Sequence, residues 1–465
     1  MSALAGKLVL VLGLGESGLA MARWCARQGA CLRVADTRAE PPGAARLQGF
    51  APGAALYTGA FADSLLDGVD LVALSPGLDP RGGVVAEARR RGLRVVGEMS
   101  LFAAALDELG ARAATRILAI TGTNGKTTTT ALAAHLACAA GLDAVAAGNI
   151  SPAPLDVLVD RLEAGKPLPA CWVLELSSFQ LEAAEGFAAD AATVLNVTDD
   201  HLDRYADLDE YAATKARIFA GAGVQVLNRQ DARVAAMALA GRRVCSFGID
   251  APRAADDFGL LERDGARWLA EGGCPLLALA ELPLAGLHNA ANALAALALC
   301  RAIGLPQTAL VAGLKTFRGL PHRVELVAQR ADGVLYYNDS KGTNVGATLA
   351  ALEGLARPVV LIAGGDGKGQ DFAPLREPVA RYARAVILIG RDAARIAAAL
   401  DGCGCALEHA ADLEAAVARA DALAQPGDVV LLSPACSSLD MFRNYPHRAE
   451  VFVAAVRRLP LVSAR

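Results

Sequence analysis

The feature that most restricts the fold of this chain is a glycine-rich run that follows an apolar segment. The run reads Ile-Thr-Gly-Thr-Asn-Gly-Lys-Thr-Thr over residues 120–128, and the apolar residues 117–120 lead into it. The helix-prone residues 131–136, rich in Ala and Leu, come shortly after it. This order predicts a strand, a glycine turn and a helix, an arrangement in which backbone N–H groups and the helix start bind phosphate.

Two side chains of this run suit nucleotide chemistry. Lys126 is positioned to reach terminal phosphates, and the Thr127 hydroxyl is positioned to bind Mg²⁺. The common P-loop pattern, Gly-x-x-x-x-Gly-Lys-Ser/Thr, has glycine where this chain has Ile120, so the match is partial. A plain strand-to-helix turn is the alternative interpretation.

Length and composition limit the kind of protein this chain can be. Its 465 residues predict about three domains, and a hydrophobic fraction of 54% supplies sizeable cores. A net charge of −4 disfavours nucleic-acid binding. No apolar run approaches the roughly 18 residues that cross a bilayer, and the N-terminus lacks the pattern of a signal peptide. We therefore expect a cytoplasmic protein without membrane insertion, with reduced cysteines and no zinc site at Cys403-Gly404-Cys405.

The chain divides into three segments of apolar strands separated by helical stretches, with predicted bounds of 1–97, 98–319 and 320–465. Buried apolar strands of this kind are typical of parallel sheets. The predicted fold class is α/β with three domains, each on a mainly parallel sheet: Rossmann-like at the N-terminus, P-loop-type and ATP-binding in the centre, Rossmann-like at the C-terminus. The predicted strands are 8–12, 32–36, 71–77, 93–96, 117–120, 171–176, 192–197, 224–228, 334–339, 359–365, 385–390 and 429–433, and the predicted helices include 19–28 and 289–302.

A second glycine pattern lies in the first segment. Gly13-x-Gly15-x-x-Gly18 follows a strand and opens a helix, and the acidic Asp36 ends the next strand. This is the dinucleotide-binding fingerprint, and taken alone it indicates an NAD-dependent oxidoreductase. Glycines that serve only tight strand–helix packing are the other interpretation.

Two polar positions follow apolar strands of the central segment. Glu175 ends one strand, and an acid there is costly to bury without a cation, which suggests a Mg²⁺ ligand. A helix cap or salt bridge is the alternative for Glu175. His201 lies beside acids in the polar loop 196–205, where it is suited to hold a metal or to play a purely structural part.

The run Gly122–Thr127 resembles the ATP-binding signature of the Mur ligases, which build the stem peptide of peptidoglycan, and of the related folylpolyglutamate synthases. Further motifs similar to this family extend over essentially the whole chain, at residues 175–180, 319–323, 338–341 and 433–438. Within the family they most resemble the ligases that add D-glutamate to UDP-N-acetylmuramoyl-L-alanine.

The resemblance implies an enzyme of cell-wall synthesis, an acid–D-amino-acid ligase that forms an acyl phosphate and releases ADP and phosphate. It implies ATP and Mg²⁺ as cofactors, with two ions, and a monomer that acts on small-molecule substrates. The choice of D- over L-glutamate rests on the resemblance alone. A folylpolyglutamate synthase-like ligase and the NAD-dependent oxidoreductase remain the alternatives.

The resemblance also assigns the phosphoryl-transfer residues. It implies Lys126, His201, Lys215 and Arg323 as catalytic, and Thr127, Glu175, His201 and Lys215 around metal. The resemblance implies that Lys215 is carbamylated. Helical periodicity alone predicts instead that Lys215 is solvated. The residues implied to bind ATP are Gly122, Thr123, Asn124, Gly125, Lys126, Thr127, Thr128, Asn289, Asn292, Arg323 and Asp339.

Two further sets of residues follow from the resemblance. The UDP-linked substrate is expected at Glu16, Ser17, Asp36, Thr37, Arg38, Ser75, Pro76, Gly77, Asn149 and Ser177. The amino acid is expected at Lys341, Thr343, Lys368, Ser438, Leu439 and Tyr445, where lysines at strand ends suit a carboxylate. Two positions depart from the family pattern, with Ser151 in place of glycine and Tyr445 where phenylalanine is frequent.

Overall fold

A computed structural model describes residues 3–200, 204–284 and 286–460, and the backbone of 462–464. Within these residues the strands form three sheets, which confirms the α/β class and the mainly parallel sheets expected from sequence. Each sheet gathers strands from one of the three segments.

The first sheet has the Rossmann-like strand order β3-β2-β1-β4-β5, and all its pairings are parallel. Its central strands are buried apolar runs because helices lie on both faces. The strands are β1 (Leu8–Leu12), β2 (Cys31–Asp36), β3 (Ala55–Thr58), β4 (Leu71–Leu74) and β5 (Arg94–Val96). The helices are α1 (Glu16–Arg27), α2 (Ala44–Phe50), α3 (Gly83–Arg90) and α4 (Glu98–Glu108).

The second sheet has the order β14-β13-β12-β11-β10-β9-β6-β8-β7 and places the strand before the glycine-rich run between two buried neighbours. Its strands are β6 (Arg116–Thr121), β7 (Ala144–Gly148), β8 (Cys171–Glu175), β9 (Ala191–Val194), β10 (Val224–Asn228), β11 (Val244–Phe247), β12 (Phe258–Arg263), β13 (Ala266–Glu271) and β14 (Cys274–Ala278). The helices of this segment are α5 (Lys126–Ala139), α6 (Pro154–Glu163), α7 (Ser178–Leu181), α8 (Leu208–Ala216), α9 (Ala232–Ala235), α10 (Leu287–Ala302) and α11 (Gln307–Thr316).

The third sheet has the order β19-β18-β17-β20-β16-β15-β21 and is parallel except where β15 pairs with its two neighbours. Its strands are β15 (Glu325–Arg330), β16 (Leu335–Asn338), β17 (Val359–Gly364), β18 (Ala383–Ile389), β19 (Ala406–His409), β20 (Val429–Leu432) and β21 (Val462–Ala464). Its helices are α12 (Val345–Leu355), α13 (Arg376–Tyr382), α14 (Ala393–Leu400), α15 (Leu413–Leu423) and α16 (Tyr445–Arg457).

Short 3₁₀ helices connect several of these elements. They span Asp63–Leu66, Arg112–Ala114, Arg217–Phe219, Leu279–Glu281 and Ala373–Leu375.

The antiparallel hairpin of β12 and β13 was not predicted, although its turn carries a sequence signal. Asp264 and Gly265 connect the strands with φ of 52° and 73°. An Asp-Gly pair with both φ positive is typical of a two-residue hairpin turn.

The chain forms two compact units. The first comprises Met1–Leu277 and Ala293–Leu314 and holds the first two sheets; the second comprises Ala278–Asn292 and Lys315–Arg465 and holds the third. One hydrophobic cluster runs through both sheets of the first unit, where Phe102 packs edge-on against Trp172 at 4.8 Å between ring centroids. All three tryptophans, Trp24, Trp172 and Trp268, lie in the first unit.

The structure also describes the cysteines and the apolar character of the helices. The ten cysteines all fall within the described residues and none forms a disulfide. Along the described ranges, no helix has the length and apolar content to cross a membrane.

Candidate active site

The glycine-rich run forms a turn between β6 and α5, as predicted. Gly122 and Gly125 have φ of 148° and 84°. A Cβ at Gly122 would lie 3.0 Å from Leu195 Cβ and 3.1 Å from the Leu195 amide nitrogen, so both the conformation and the space require glycine. The Lys126 ammonium donates hydrogen bonds of 2.8 Å to the carbonyls of Gly122 and Thr123, which holds it over the turn.

A second loop fixes this turn in place. The Asn196 side chain accepts from the Asn124 amide at 2.8 Å and donates to the Asn124 carbonyl at 3.1 Å. The Thr123 amide donates to the Asn196 carbonyl at 3.0 Å. Asn196 opens the polar loop predicted at 196–205, but no role was predicted for this side chain, although it follows a buried strand.

Glu175 lies next to the turn because β8 pairs with β6 and brings it opposite Ile120. The side chain is 2% exposed. Its Oε1 accepts a 2.8 Å hydrogen bond from the Asn149 amide group, whereas Oε2 is buried without a hydrogen-bond partner among the described residues. A buried carboxylate oxygen left in this way suits a cation ligand.

Lys215 on α8 is buried rather than solvated, so the expectation from periodicity alone is wrong at this position. The residue is 1% exposed, and its ammonium donates to the Gly122 carbonyl at 3.0 Å and lies 4.3 Å from the centroid of the Tyr211 ring. Burial, helped by the nearby charge of Lys126, holds the pKa of Lys215 well below its usual range, while Asp200 acts in the opposite direction.

Three of the four predicted metal ligands lie around the turn. Thr127 is buried at the start of α5, and Glu175 and Lys215 flank the same turn. His201 lies outside the described residues, and those residues contain no cluster of three or more His, Cys, Asp or Glu able to hold a metal. A hydroxyl and one unpartnered carboxylate oxygen fit Mg²⁺, which prefers oxygen ligands.

The glycine fingerprint of the first sheet also forms a tight turn. Gly13 has φ of 84°, and a Cβ there would lie 2.8 Å from Ser75 Cβ. A Cβ at Gly18 would lie 1.8 Å from the Gly13 carbonyl oxygen, so α1 packs directly on the turn. Because β2, β1 and β4 are parallel neighbours, the residues after each strand meet at one edge of the sheet. Eight of the residues predicted to hold the UDP-linked substrate lie here, and we call them the UDP cradle after that prediction: Glu16, Ser17, Asp36, Thr37, Arg38, Ser75, Pro76 and Gly77.

Asp36 organises the UDP cradle through its carboxylate. It accepts from the Leu14 amide at 2.7 Å and pairs with Arg38 at 2.8 Å and 2.6 Å. The hydrogen bond from Arg38 is the main reason why the pKa of Asp36 lies well below its usual range. The carboxylate therefore stays charged and holds Arg38 at the sheet edge.

The remaining two substrate residues of the first unit have defined local roles. Ser177 caps α7, since its hydroxyl accepts from the Gln180 amide at 3.2 Å. Asn149 binds Glu175 as described above. At the position that departs from the family pattern, the Ser151 hydroxyl donates to Glu16 at 2.7 Å.

The second unit groups the other residues expected near ATP into two pairs. Asn292 donates to Asn289 at 3.3 Å, and both side chains are buried on α10. Asp339 accepts from the Ser433 hydroxyl at 2.7 Å, and burial raises its pKa to about 7, against the opposing effects of Ser433 and Arg323. Arg323 thus lies close enough to Asp339 to act on its charge.

The residues expected to bind the amino acid follow the neighbouring strands β16, β17 and β20. The Lys341 ammonium lies 5.1 Å from the ring centroid of Tyr445, and Asp366 bridges to Ser437, which brings the loops of Lys368 and Ser438 together. Ser438 is buried, Lys368 is exposed and Leu439 is 69% exposed. The Thr343 amide donates to the Lys341 carbonyl at 2.9 Å.

One buried cation at this edge was not anticipated. Arg448 on α16 donates to the Ser340 carbonyl at 2.8 Å and to the Cys436 carbonyl at 3.1 Å, so it ties two of these loops together. Its place in an amphipathic helix gave no sequence signal for burial.

A glycine turn between a buried strand and a helix of a mainly parallel sheet, in a chain with two further mainly parallel sheets, is typical of a nucleotide-dependent enzyme of multidomain α/β architecture. Three family models match the chain: the Mur ligase MurD-like N-terminal domain over residues 7–97, the Mur ligase middle domain over 120–300 and the Mur ligase glutamate ligase domain over 322–436. The chain belongs to the Mur ligase family. Members of this family depend on ATP and use Mg²⁺.

Individual relatives are similar over the full chain. A UDP-N-acetylmuramoylalanine–D-glutamate ligase of Aromatoleum aromaticum is 71% identical, with all of both chains covered. The enzyme of the same name from Nitrosospira multiformis is 54% identical, covering 99% of this chain and 97% of the relative. Among solved structures, the UDP-N-acetylmuramate-alanine ligase of Thermotoga maritima shares the fold at a TM-score of 0.59 and 21% identity, covering 97% of this chain and 99% of that one.

Proposed function

We propose that this chain is an ATP-dependent ligase that joins D-glutamate to UDP-N-acetylmuramoyl-L-alanine during synthesis of the peptidoglycan precursor. The observation that carries the proposal is the 71% identity, over the whole of both chains, to a ligase of that name. The phosphate-binding turn supports the same reaction, because a carboxylate must be activated before an amine can displace its oxygen.

The first step is transfer of the γ-phosphoryl group of ATP to the acceptor carboxylate. The Lys126 ammonium and the Arg323 guanidinium stabilise charge on the transferring group, and Gly122, Thr123, Asn124, Gly125 and Thr128 cradle the phosphates with the backbone of the turn. Asn289, Asn292 and Asp339 bind the nucleoside. The products of this step are ADP and an acyl phosphate.

Mg²⁺ supplies neutralising charge at the phosphate oxygens when it is bound. Thr127, Glu175, His201 and a carbamate on Lys215 hold two ions in our proposal. The buried Oε2 of Glu175 and the buried amine of Lys215 support this assignment. An uncharged amine reacts with CO₂ to form a carbamate and a proton, and a lowered pKa favours the uncharged amine.

The second step is attack of the glutamate amine on the acyl phosphate, which forms an amide and releases phosphate. Lys341, Thr343, Lys368, Ser438, Leu439 and Tyr445 hold the amino acid. The UDP cradle, with Asn149 and Ser177, holds the acceptor. The attacking amine loses a proton, and His201 either takes that proton or serves only as a metal ligand.

The proposed function also assigns one substrate to each domain. We place the acceptor domain at 1–97, the ATP domain at 98–319 and the amino-acid domain at 320–465. We further propose that the enzyme acts as a monomer in the cytoplasm.

Phosphate release with UDP-N-acetylmuramoyl-L-alanine, ATP and either D- or L-glutamate tests this function. We expect turnover with D-glutamate only, and loss of turnover in Lys126→Ala. Equal rates with both enantiomers, or undiminished ligation by Lys126→Ala, would overturn the proposal. Turnover with a folate acceptor instead would support a folylpolyglutamate synthase-like ligase, and binding of NAD without ATP would support an oxidoreductase.

A further inference from the structure

Glu98, at the start of α4, is a buried carboxylic acid that the proposed reaction does not use. It is 3% exposed, and its Oε1 accepts a 3.4 Å hydrogen bond from the Leu155 amide at the start of α6. Its Oε2 has no hydrogen-bond partner among the described residues. A buried carboxylate with one oxygen lacking a hydrogen bond is costly, and such groups are frequent at functional sites.

The surroundings of Glu98 connect it with the UDP cradle. The Ser17 hydroxyl of the cradle hydrogen-bonds the Glu98 carboxyl and stabilises its charged form. Glu98 also lines a narrow cavity together with Pro76, another cradle residue, and with Leu74 and Gln180. The carboxyl therefore lies next to the residues proposed to hold the acceptor.

Two acidic side chains act on the charge of Glu98. Glu16 on α1 and Asp156 on α6 both disfavour its ionisation. Asp156 is compensated, because Arg23 lies 3.4 Å and Arg46 3.7 Å from it.

Glu182 and Arg204, which also line the cavity, pair with each other. Glu16 and Glu98 have no ion pair in the described parts of the chain. An ionised Glu98 therefore adds negative charge where the acceptor must bring a diphosphate.

We propose that Glu98 is a positioning residue that couples acceptor binding to uptake of a proton. When the acceptor binds, the Glu98 carboxylate takes one proton from solvent, and the neutral acid keeps Ser17 in place without repelling the diphosphate. The proposal rests on the acceptor function proposed above. Burial raises the pKa of Glu98 to about 7 in the protein without ligand, so both forms are accessible near neutral pH.

Calorimetric binding of UDP-N-acetylmuramoyl-L-alanine without ATP tests the coupling. Its diphosphate is esterified at both ends and does not titrate near neutral pH, whereas free UDP has a phosphate that titrates at about pH 6. Between about pH 6 and about pH 8.5 we expect the wild-type dissociation constant to rise about tenfold, because like charges oppose each other. Near pH 8, titrations in buffers of different ionisation enthalpy should show net proton uptake on binding.

Glu98→Gln is the matched variant, since the amide keeps the shape and cannot ionise. We expect its dissociation constant to stay close to the low-pH wild-type value across the range, with no proton uptake. Glu108→Gln, at an exposed carboxyl on the same helix, is the control and should keep the wild-type pH dependence.

An unchanged pH dependence in Glu98→Gln, or wild-type binding without proton uptake, would overturn the inference; the second measurement needs no variant to fold. Absence of binding at every pH would overturn the acceptor function itself, and this inference with it.

Discussion

Lys215 illustrates at the scale of one residue how burial changes chemistry. The same side chain on an exposed helix face would remain a cation with no affinity for CO₂. Here it is 1% exposed and close enough to Lys126 for the two charges to oppose each other. Sequence periodicity could not anticipate this environment, because α8 is short and its burial is decided by the turn that it packs against.

Replacing Lys215 tests whether a carbamate forms. We expect Lys215→Arg and Lys215→Ala to lower kcat by about a hundredfold or more, because neither side chain can carry a carbamate that holds metal charge near the phosphoryl group. Removing dissolved CO₂ should lower wild-type activity, and adding bicarbonate should restore it. Full activity of Lys215→Arg, or indifference of the wild type to CO₂, would contradict the carbamate.

Asp339 predicts how stability depends on pH. Its pKa is raised from an ordinary value of 3.8 to about 7, so folding favours the protonated form. The contribution of Asp339 to the free energy of unfolding is therefore full below about pH 4. It is lost as the pH rises through about 7, and the loss is at most roughly 4 kcal/mol.

Thermal unfolding at about pH 5 and about pH 8 measures this contribution. We expect Asp339→Asn to flatten the decline seen in the wild type. The control Asp401→Asn, at an exposed carboxyl, should leave the decline unchanged. Equal slopes in wild type and Asp339→Asn would refute the assignment.

At the scale of elements, the two ends of α5 separate backbone strain from phosphate binding. Gly122 before the helix and Gly141 after it both have positive φ, but a Cβ at Gly141 meets nothing within 4 Å. We expect both alanine variants to lose about 1 kcal/mol of stability from strain. Only Gly122→Ala should also raise the KM for ATP, by about tenfold or more, since it displaces the turn. A normal KM in Gly122→Ala would argue against phosphate binding at this turn.

The strands that sequence reasoning found and missed differ in burial. Central parallel strands such as β1, β8 and β17 are apolar runs, apart from Glu175 at the end of β8, because helices cover both faces, and they were predicted. The edge strand β3 is largely exposed, and the β12–β13 hairpin has a polar outer half, so neither produces an apolar run. Because β3 and the hairpin strands are short and weakly hydrophobic, they were not predicted, although Asp264-Gly265 indicated the hairpin turn.

The site was predictable where chemistry is carried by a local pattern and not where it depends on packing. The predicted roles of Lys126 and Thr127 follow from the local order of strand, turn and helix alone. Three other side chains are placed by hydrogen bonds to residues far away in the chain: Asn196 by Asn124, Glu98 by Leu155 and Arg448 by Ser340. No local pattern encodes such pairings, so only the folded arrangement reveals them.

At the scale of the whole molecule, the two compact units predict two calorimetric transitions. Each unit has its own hydrophobic clusters, and ligand binding stabilises the folded state that binds it. We expect UDP-N-acetylmuramoyl-L-alanine at about a hundred times its dissociation constant to stabilise the first unit by about 2.7 kcal/mol and to leave the second transition unmoved. One transition that shifts as a whole would show instead that the units unfold together.

The location of the tryptophans gives the enzyme an optical label on one side only. All three tryptophans belong to the first unit, namely Trp24, Trp172 and Trp268. Tryptophan fluorescence therefore does not report unfolding of the second unit. A fluorescence curve and a heat-capacity curve recorded on the same sample should therefore disagree by the contribution of the unlabelled half. That difference isolates the amino-acid-binding half without cutting the chain or attaching a dye.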